Sequence, residues 1–159
     1  MSTLRDKMWI LAHEAGSHNQ GWNTPAASRM TPVEGALYLG VTNLIMVRYS
    51  GQPAPPYAQY ARAFKPLGQF VWSIVNAGGE TSEEELVAVR ELAARHPNMT
   101  GVMMDDFFRN DPDNPGVYSP ERLAEIRALL ATERAKALDL WVVLYQFQLD
   151  LPIKAHLAP

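Results

Sequence analysis

The segment Met99-Thr100-Gly101-Val102-Met103-Met104-Asp105-Asp106-Phe107-Phe108 carries an apolar run straight into two carboxylates. A strand of a parallel sheet reads this way when both of its faces are covered, because neither side chain parity meets water. Four further runs share that character, at residues 8–13, 43–49, 69–75 and 139–146. None alternates strictly between apolar and polar. The five starts recur at about 30 residues, the length of one βα unit.

Helix signals fill the intervals. Thr31-Pro32-Val33-Glu34 supplies a capping threonine, a proline at the first helical position and a glutamate three residues after the cap, and Gly40 ends the helix. Residues 57–67, after the prolines from Pro53 to Pro56, place Tyr57, Tyr60, Ala61 and Phe64 on one stripe and predict a second helix. Thr81 or Ser82 caps a third, with Glu83, Glu84 and Glu85 at the positive end of its dipole and Leu86, Val89, Leu92 and Ala93 at helical spacing. Ser119-Pro120-Glu121 opens a fourth, with Leu123, Ile126 and Leu130 inward and Lys136 near its carbonyl end.

The order β-α-β-α-β-α-β-α-β implies a parallel α/β sheet, either open and doubly wound or part of a (β/α)8 barrel. After the fifth run, Asp150-Leu151-Pro152 and residues 153–157 resemble the start of another helix. The expectation is therefore a partial TIM barrel, its first five strands and four helices, as one domain over residues 1–159.

Composition narrows the function classes. With 159 residues, 47% of them hydrophobic and 19% charged, the chain can bury one ordinary core. Its net charge is −3 and its basic residues are scattered, so no footprint for nucleic acid or an anionic membrane surface is expected. The absence of cysteine removes disulfides, zinc–thiolate sites and thiol nucleophiles, and suits a cytoplasmic location. The apolar stretch before His13 is too short for a signal peptide or a membrane span.

Asn43-Leu44-Ile45-Met46-Val47-Arg48-Tyr49, Val71-Trp72-Ser73-Ile74-Val75, the Asp105-Asp106-Phe107-Phe108 run and Leu149-Asp150-Leu151-Pro152 together resemble a group of poorly characterised bacterial barrel proteins similar to the glycosidase superfamily. The resemblance spans essentially the whole chain. It implies a (β/α)8 barrel whose longer relatives continue through three further βα units.

In a parallel barrel, chemistry gathers at the carboxyl ends of the strands. Asp105 and Asp106 are the foremost candidates, as general acid, nucleophile or metal ligand, against the plainer reading of loop caps or partners of Arg109. Adjacent strand residues point to opposite faces, so only one of the two aims into the mouth. Glycoside hydrolysis needs a second carboxyl group, and Glu14 is the candidate. His13, Arg48, Trp72, Asn76, Tyr145 and Gln148 are expected to bind or orient the substrate, with Trp72, Tyr49 and Tyr145 able to stack on sugar rings or to serve as core.

His13, Glu14 and His18 also admit a metal-dependent hydrolase or isomerase, although their spacing is not the His-x-His of metal-dependent barrel hydrolases; no metal site or cofactor is assigned. His96 reads as a helix-end residue. Ala77-Gly78-Gly79 reads as a turn rather than a phosphate loop, and no Gly-x-Ser-x-Gly motif occurs. The expected activity is carbohydrate hydrolysis or binding, with a rim aspartate as acid, base or nucleophile. A non-catalytic barrel fragment is the third reading, and its exposed strand edges predict a homo-oligomer.

Overall fold

The computed structural model describes residues 3–24, 26–76, 78–131 and 137–158. Five strands, β1 (Trp9–Ala12), β2 (Asn43–Met46), β3 (Gln69–Ser73), β4 (Met99–Met104) and β5 (Asp139–Val142), form one sheet in the order β1-β2-β3-β4-β5, with every pairing parallel. Each strand is shorter than its apolar run, because the last residues of each run turn into the loop that follows. The consecutive order contains no reversal, so this is not a doubly wound sheet with a central switch point.

Three α-helices connect the strands: α1 (Pro32–Leu39), α2 (Glu83–Arg95) and α3 (Pro120–Leu130). The start of α1 is a capping box. The Thr31 hydroxyl accepts from the Glu34 amide, and the Glu34 carboxylate accepts from the Thr31 amide at 2.8 Å. Gly40 closes α1 at φ +64°, a conformation that a side chain would resist. At α2 and α3 the cap is one-sided, the Ser82 hydroxyl accepting from the Glu85 amide and the Ser119 hydroxyl from the Arg122 amide, and Leu86, Val89, Leu92, Leu123, Ile126 and Leu130 turn inward.

Two expected helices differ. Residues 57–67 hold only a 3₁₀ helix, Tyr60–Phe64, because Pro56 before it and Pro66 after it leave no room for an α-helical hydrogen-bond ladder. Residues 153–157 form turns, and the short 3₁₀ helix of this region, Gln146–Gln148, comes earlier. Lys136 lies outside the described residues. Among the described residues, no helix is long and apolar enough to cross a membrane.

Right-handed crossovers between consecutive strands put all connections on one face of the sheet. That face buries Leu44, Met46, Phe70, Trp72, Val102 and Met104 in the main core with the helices. The opposite parity forms a second cluster of Ile45, Val47, Val71 and Met103, with Trp9, Trp141 and Val143 packed against it. Trp9 and Trp141 sit on the two outermost strands, yet their ring centroids are 5.0 Å apart. In a flat sheet β1 and β5 would be about 19 Å apart, four strand spacings. The sheet is therefore strongly curled, with this cluster on its inside.

Gly101 makes room for that closure. A Cβ there would come within 2.7 Å of the Asp139 carbonyl oxygen and 3.3 Å of Trp141 Nε1. Gly101→Ala is expected to destabilise the fold by about 1–3 kcal/mol through overpacking, measured by urea unfolding. Unchanged stability would show that β5 does not seat this closely on β4.

Candidate functional site

The carboxyl edge of the sheet gathers polar groups from four of the five strands. At β4, Asp105 continues the inner parity of Gly101 and Met103, and Asp106 adopts a left-handed conformation at φ +47° that turns the chain into its loop. Asp105 is half-buried. Burial first, and then the neighbouring Asp106 charge, push its carboxyl above the ordinary aspartate range, against a smaller lowering by the Asp106 backbone.

Asp106 is exposed and accepts a hydrogen bond of 2.6 Å from the Tyr145 hydroxyl, which reaches over from the end of β5. That bond, followed by partial burial and the two aspartate charges, pushes Tyr145 up to about 12. Gly78, in the loop after β3, packs beside Asp106: a Cβ on it would lie 3.2 Å from Asp106 Cβ. Gly78 and Gly79 both have positive φ and form the expected turn. Asn76 Oδ1 accepts from the Gly51 amide at 2.8 Å and so ties the loops after β2 and β3 together. Phe147 stacks on Tyr145 with ring centroids 5.5 Å apart and planes within 6°, and both rings are exposed.

At the end of β1, His13 joins an aromatic nest with His18, Trp22 and Tyr49. The two imidazoles meet edge-on at 4.2 Å, and His18 stacks on Trp22 at 4.0 Å. Burial, then the His18 charge, hold His13 below the ordinary histidine value. Glu14 has the opposite parity. Its charge falls on Tyr60, whose hydroxyl is pushed up to about 12, mainly by burial and secondarily by Glu14. Glu14 is thus directed to the helix side and is not brought together with the aspartates.

Three expected substrate residues are structural instead. Trp72 is fully buried on the helix-covered face against Tyr57, Tyr60 and Phe64. Its position in β3, paired with Met46 and Val102, leaves it no path to the inner face. Arg48 follows Met46 at the same parity and is also buried. Its Nη1 donates to Glu85 Oε2 at 2.7 Å and its Nε to the Pro53 carbonyl, while the Tyr57 hydroxyl donates to the same Glu85. This network clamps the loop after β2 to the start of α2. Gln148 is buried, with Nε2 donating to the Phe108 carbonyl and Oε1 accepting from the Tyr145 amide. It holds Tyr145 in place rather than touching the rim space.

Phe107 and Phe108 are core residues, and Arg109 forms no ion pair with the aspartates, whose place is taken by Tyr145. His96 is buried at the end of α2, where it caps the helix. Among the described residues, no group of three or more histidines, aspartates or glutamates is arranged to hold a metal ion. Trp22 and Phe147 were not expected at the rim. Their signal in the sequence is an aromatic within a polar loop just beyond a strand's carboxyl end, a place where burial does not account for it.

No protein-family model matches this chain, and comparisons with curated proteins and with solved structures likewise return no significant match.

The raised carboxyl of Asp105 makes its charge a cost to the folded state. A folded value above the unfolded one means that stability falls as pH rises from the unfolded value, near 3.9, through the folded value, and stays reduced above it. Asp105→Asn is therefore expected to raise the melting temperature near neutral pH, with the gain vanishing below about pH 3.5. Equal melting of the two proteins at every pH would show that Asp105 bears no such burden.

Proposed function

We propose that this chain is part of a (β/α)8-type barrel that binds or hydrolyses carbohydrate at its carboxyl rim, with Asp105 as general acid. Register supports the barrel geometry. The row through Trp9 runs to Asn43 and Gln69, whereas the row through Trp141 runs through Met103 to Ser73, four residues further along β3. Trp9 and Trp141 nevertheless touch. A stagger of four residues over four strand steps is one per strand, the ratio of an eight-stranded barrel of shear 8, in which alternate strands contribute to one interior layer.

The observation that carries the chemistry is the half-buried Asp105 carboxyl, pushed up beside a second carboxylate that Tyr145 holds in position. A carboxylic acid that keeps its proton at higher pH suits donation to a departing glycosidic oxygen as the C–O bond breaks. Asp106, oriented by the Tyr145 hydroxyl, supplies negative charge toward the cationic sugar ring that results. The exposed Tyr145–Phe147 stack offers an aromatic face of the kind on which sugar rings lie.

Chromogenic glycosides test this reading. Asp105→Asn is expected to lower kcat/KM by about 10²- to 10⁴-fold, and the wild-type rate should fall on the alkaline side of the raised carboxyl value, where the acid has lost its proton. Tyr145→Phe should reduce the rate less. Equal turnover by wild type and Asp105→Asn removes Asp105 from the mechanism.

Self-association belongs to the same proposal. Among the described residues, β1 pairs only with β2 and β5 only with β4, so each keeps an outer edge of unpaired amides and carbonyls. The chain is expected to form dimers or larger assemblies through these edges at micromolar concentration. Light scattering that reports a monodisperse monomer contradicts this.

A further inference from the structure

The loop after β1 is held to its neighbours by rings rather than by hydrogen bonds. The His13 imidazole meets that of His18 edge-on at 4.2 Å, and His18 stacks on Trp22 at 4.0 Å and lies 4.6 Å from the Tyr49 ring in the loop after β2. The backbone bonds of the segment are local turns, such as Gly21 to His18 and Thr24 to Gly21, and among the described residues no hydrogen bond joins residues 14–24 to the sheet. The backbone is also strained. Gln20, Trp22 and Asn23 have φ of +65°, +52° and +57°, a left-handed conformation that side chains resist and that persists only where contacts enforce it.

Those contacts depend on charge. His13 Nδ1 and His18 Nε2 are shielded from water and have no hydrogen-bond partner. A neutral imidazole can leave such a nitrogen as a bare acceptor, whereas an imidazolium carries a proton on both nitrogens. A charged donor with neither water nor an acceptor costs far more than an unfilled lone pair. Among the described residues neither ring forms an ion pair. Of the other residues that line the adjoining cavity only Glu14 is charged, and its charge falls on Tyr60. The loop after β2 presents Tyr49, a phenol and not a carboxylate, and the charge that acts on Asp105 is that of Asp106, not of His13.

We infer that residues 13–24 form a pH-sensitive latch, closed against Tyr49 while His13 is neutral and released when His13 takes up a proton. This latch stands whether or not the rim hydrolyses a substrate.

His13 rather than His18 is the sensor because of what each ring faces. A charged His18 would lie flat on the Trp22 ring, and an aromatic face attracts a cation. A charge on His13 would sit 4.2 Å from that one with nothing to offset it. Burial first, and then the His18 charge, hold His13 below the ordinary histidine value, to which it returns once the released loop is hydrated. The released form therefore binds the proton more tightly. Closure is fully favoured above the ordinary value, about 6.5, and is lost as pH falls through the lowered one.

Proton NMR of the full chain between pH 8 and pH 4.5 tests the latch. Nuclear Overhauser contacts of the His18 ring with the Trp22 and Tyr49 rings are expected at pH 8 and should vanish in the step in which the His13 signals titrate. The Trp9–Trp141 contact should survive that step, which separates release of the loop from global unfolding. His13→Phe keeps a ring that cannot be protonated, and should retain the His18 contacts at pH 4.5. Contacts absent at pH 8, or persisting in wild type after His13 has titrated, overturn the latch. So do a His13 that does not titrate in this range, loss of the Trp9–Trp141 contact in the same step, and release of His13→Phe at the wild-type pH. Should His13→Phe not fold, the wild-type titration decides alone.

Discussion

Trp9 and Trp141 belong to the outermost strands of the sheet, and their contact at 5.0 Å fixes how far the intervening strands bend. Each of the other features follows from that bend. Parallel strands that curl with their inner parity facing a common axis must fill the interior from several strands at once, and Ile45, Val47, Val71 and Met103 do so. Gly101 is the local concession, since only a residue without Cβ lets Trp141 cross above β4 while the Asp139 carbonyl stays in the ladder. The same bend brings the carboxyl ends of the strands toward one another. A hydroxyl on β5 consequently reaches a carboxylate on β4, and the loop after β3 fits beside both.

Strand alternation then divides the polar residues of the rim into two groups with different work. Inner parity carries His13, Asp105 and Tyr145 toward the shared space. Outer parity carries Arg48 and Glu14 toward the helices. Arg48 finds Glu85 and the Pro53 carbonyl there, and the Tyr57 hydroxyl completes the carboxylate, so the buried charge has its counter-charge and its hydrogen bonds. This network anchors the first turn of α2. The three glutamates that open that helix thus divide their roles: Glu85 is drawn inward to Arg48, Glu83 pairs at the surface with Arg122 of α3 at 3.0 Å, and Glu84 stays in solvent near the helix's positive end.

The sequence made the elements and their order legible because both rest on local signals. Apolar runs, capping residues such as Thr31, Ser82 and Ser119, and the glycine after α1 each act within a few residues. At residues 57–67 the helical stripe of Tyr57, Tyr60, Ala61 and Phe64 is real, but flanking prolines restrict it to a 3₁₀ turn with Tyr57, Ala61 and Phe64 buried. The aspartate pair was legible as a rim feature. Arg48, Trp72 and Gln148 were not, because each was located by its distance along a run, whereas its role depends on parity. For Trp72 one step along β3 separates the inside of the curled sheet from the helix layer. For Gln148 the deciding partner, the Phe108 carbonyl, is 40 residues away.

The polar groups of the rim are satisfied in a different way from several of those elsewhere in the molecule. Away from the rim, Arg48 on the helix side and Asn43 and Asn98 near the amino ends of β2 and β4 spend their donors on carbonyls or carboxylates of the protein itself, so these sites are finished by folding. At the rim, Asp105 is kept charged only at a cost, Asp106 has the Tyr145 hydroxyl as its side-chain partner, and the imidazoles after β1 make ring contacts in place of hydrogen bonds. These groups are therefore held at a cost in stability that an apolar residue at the same places would not carry, and they lie where the curl of the sheet directs the inner parity.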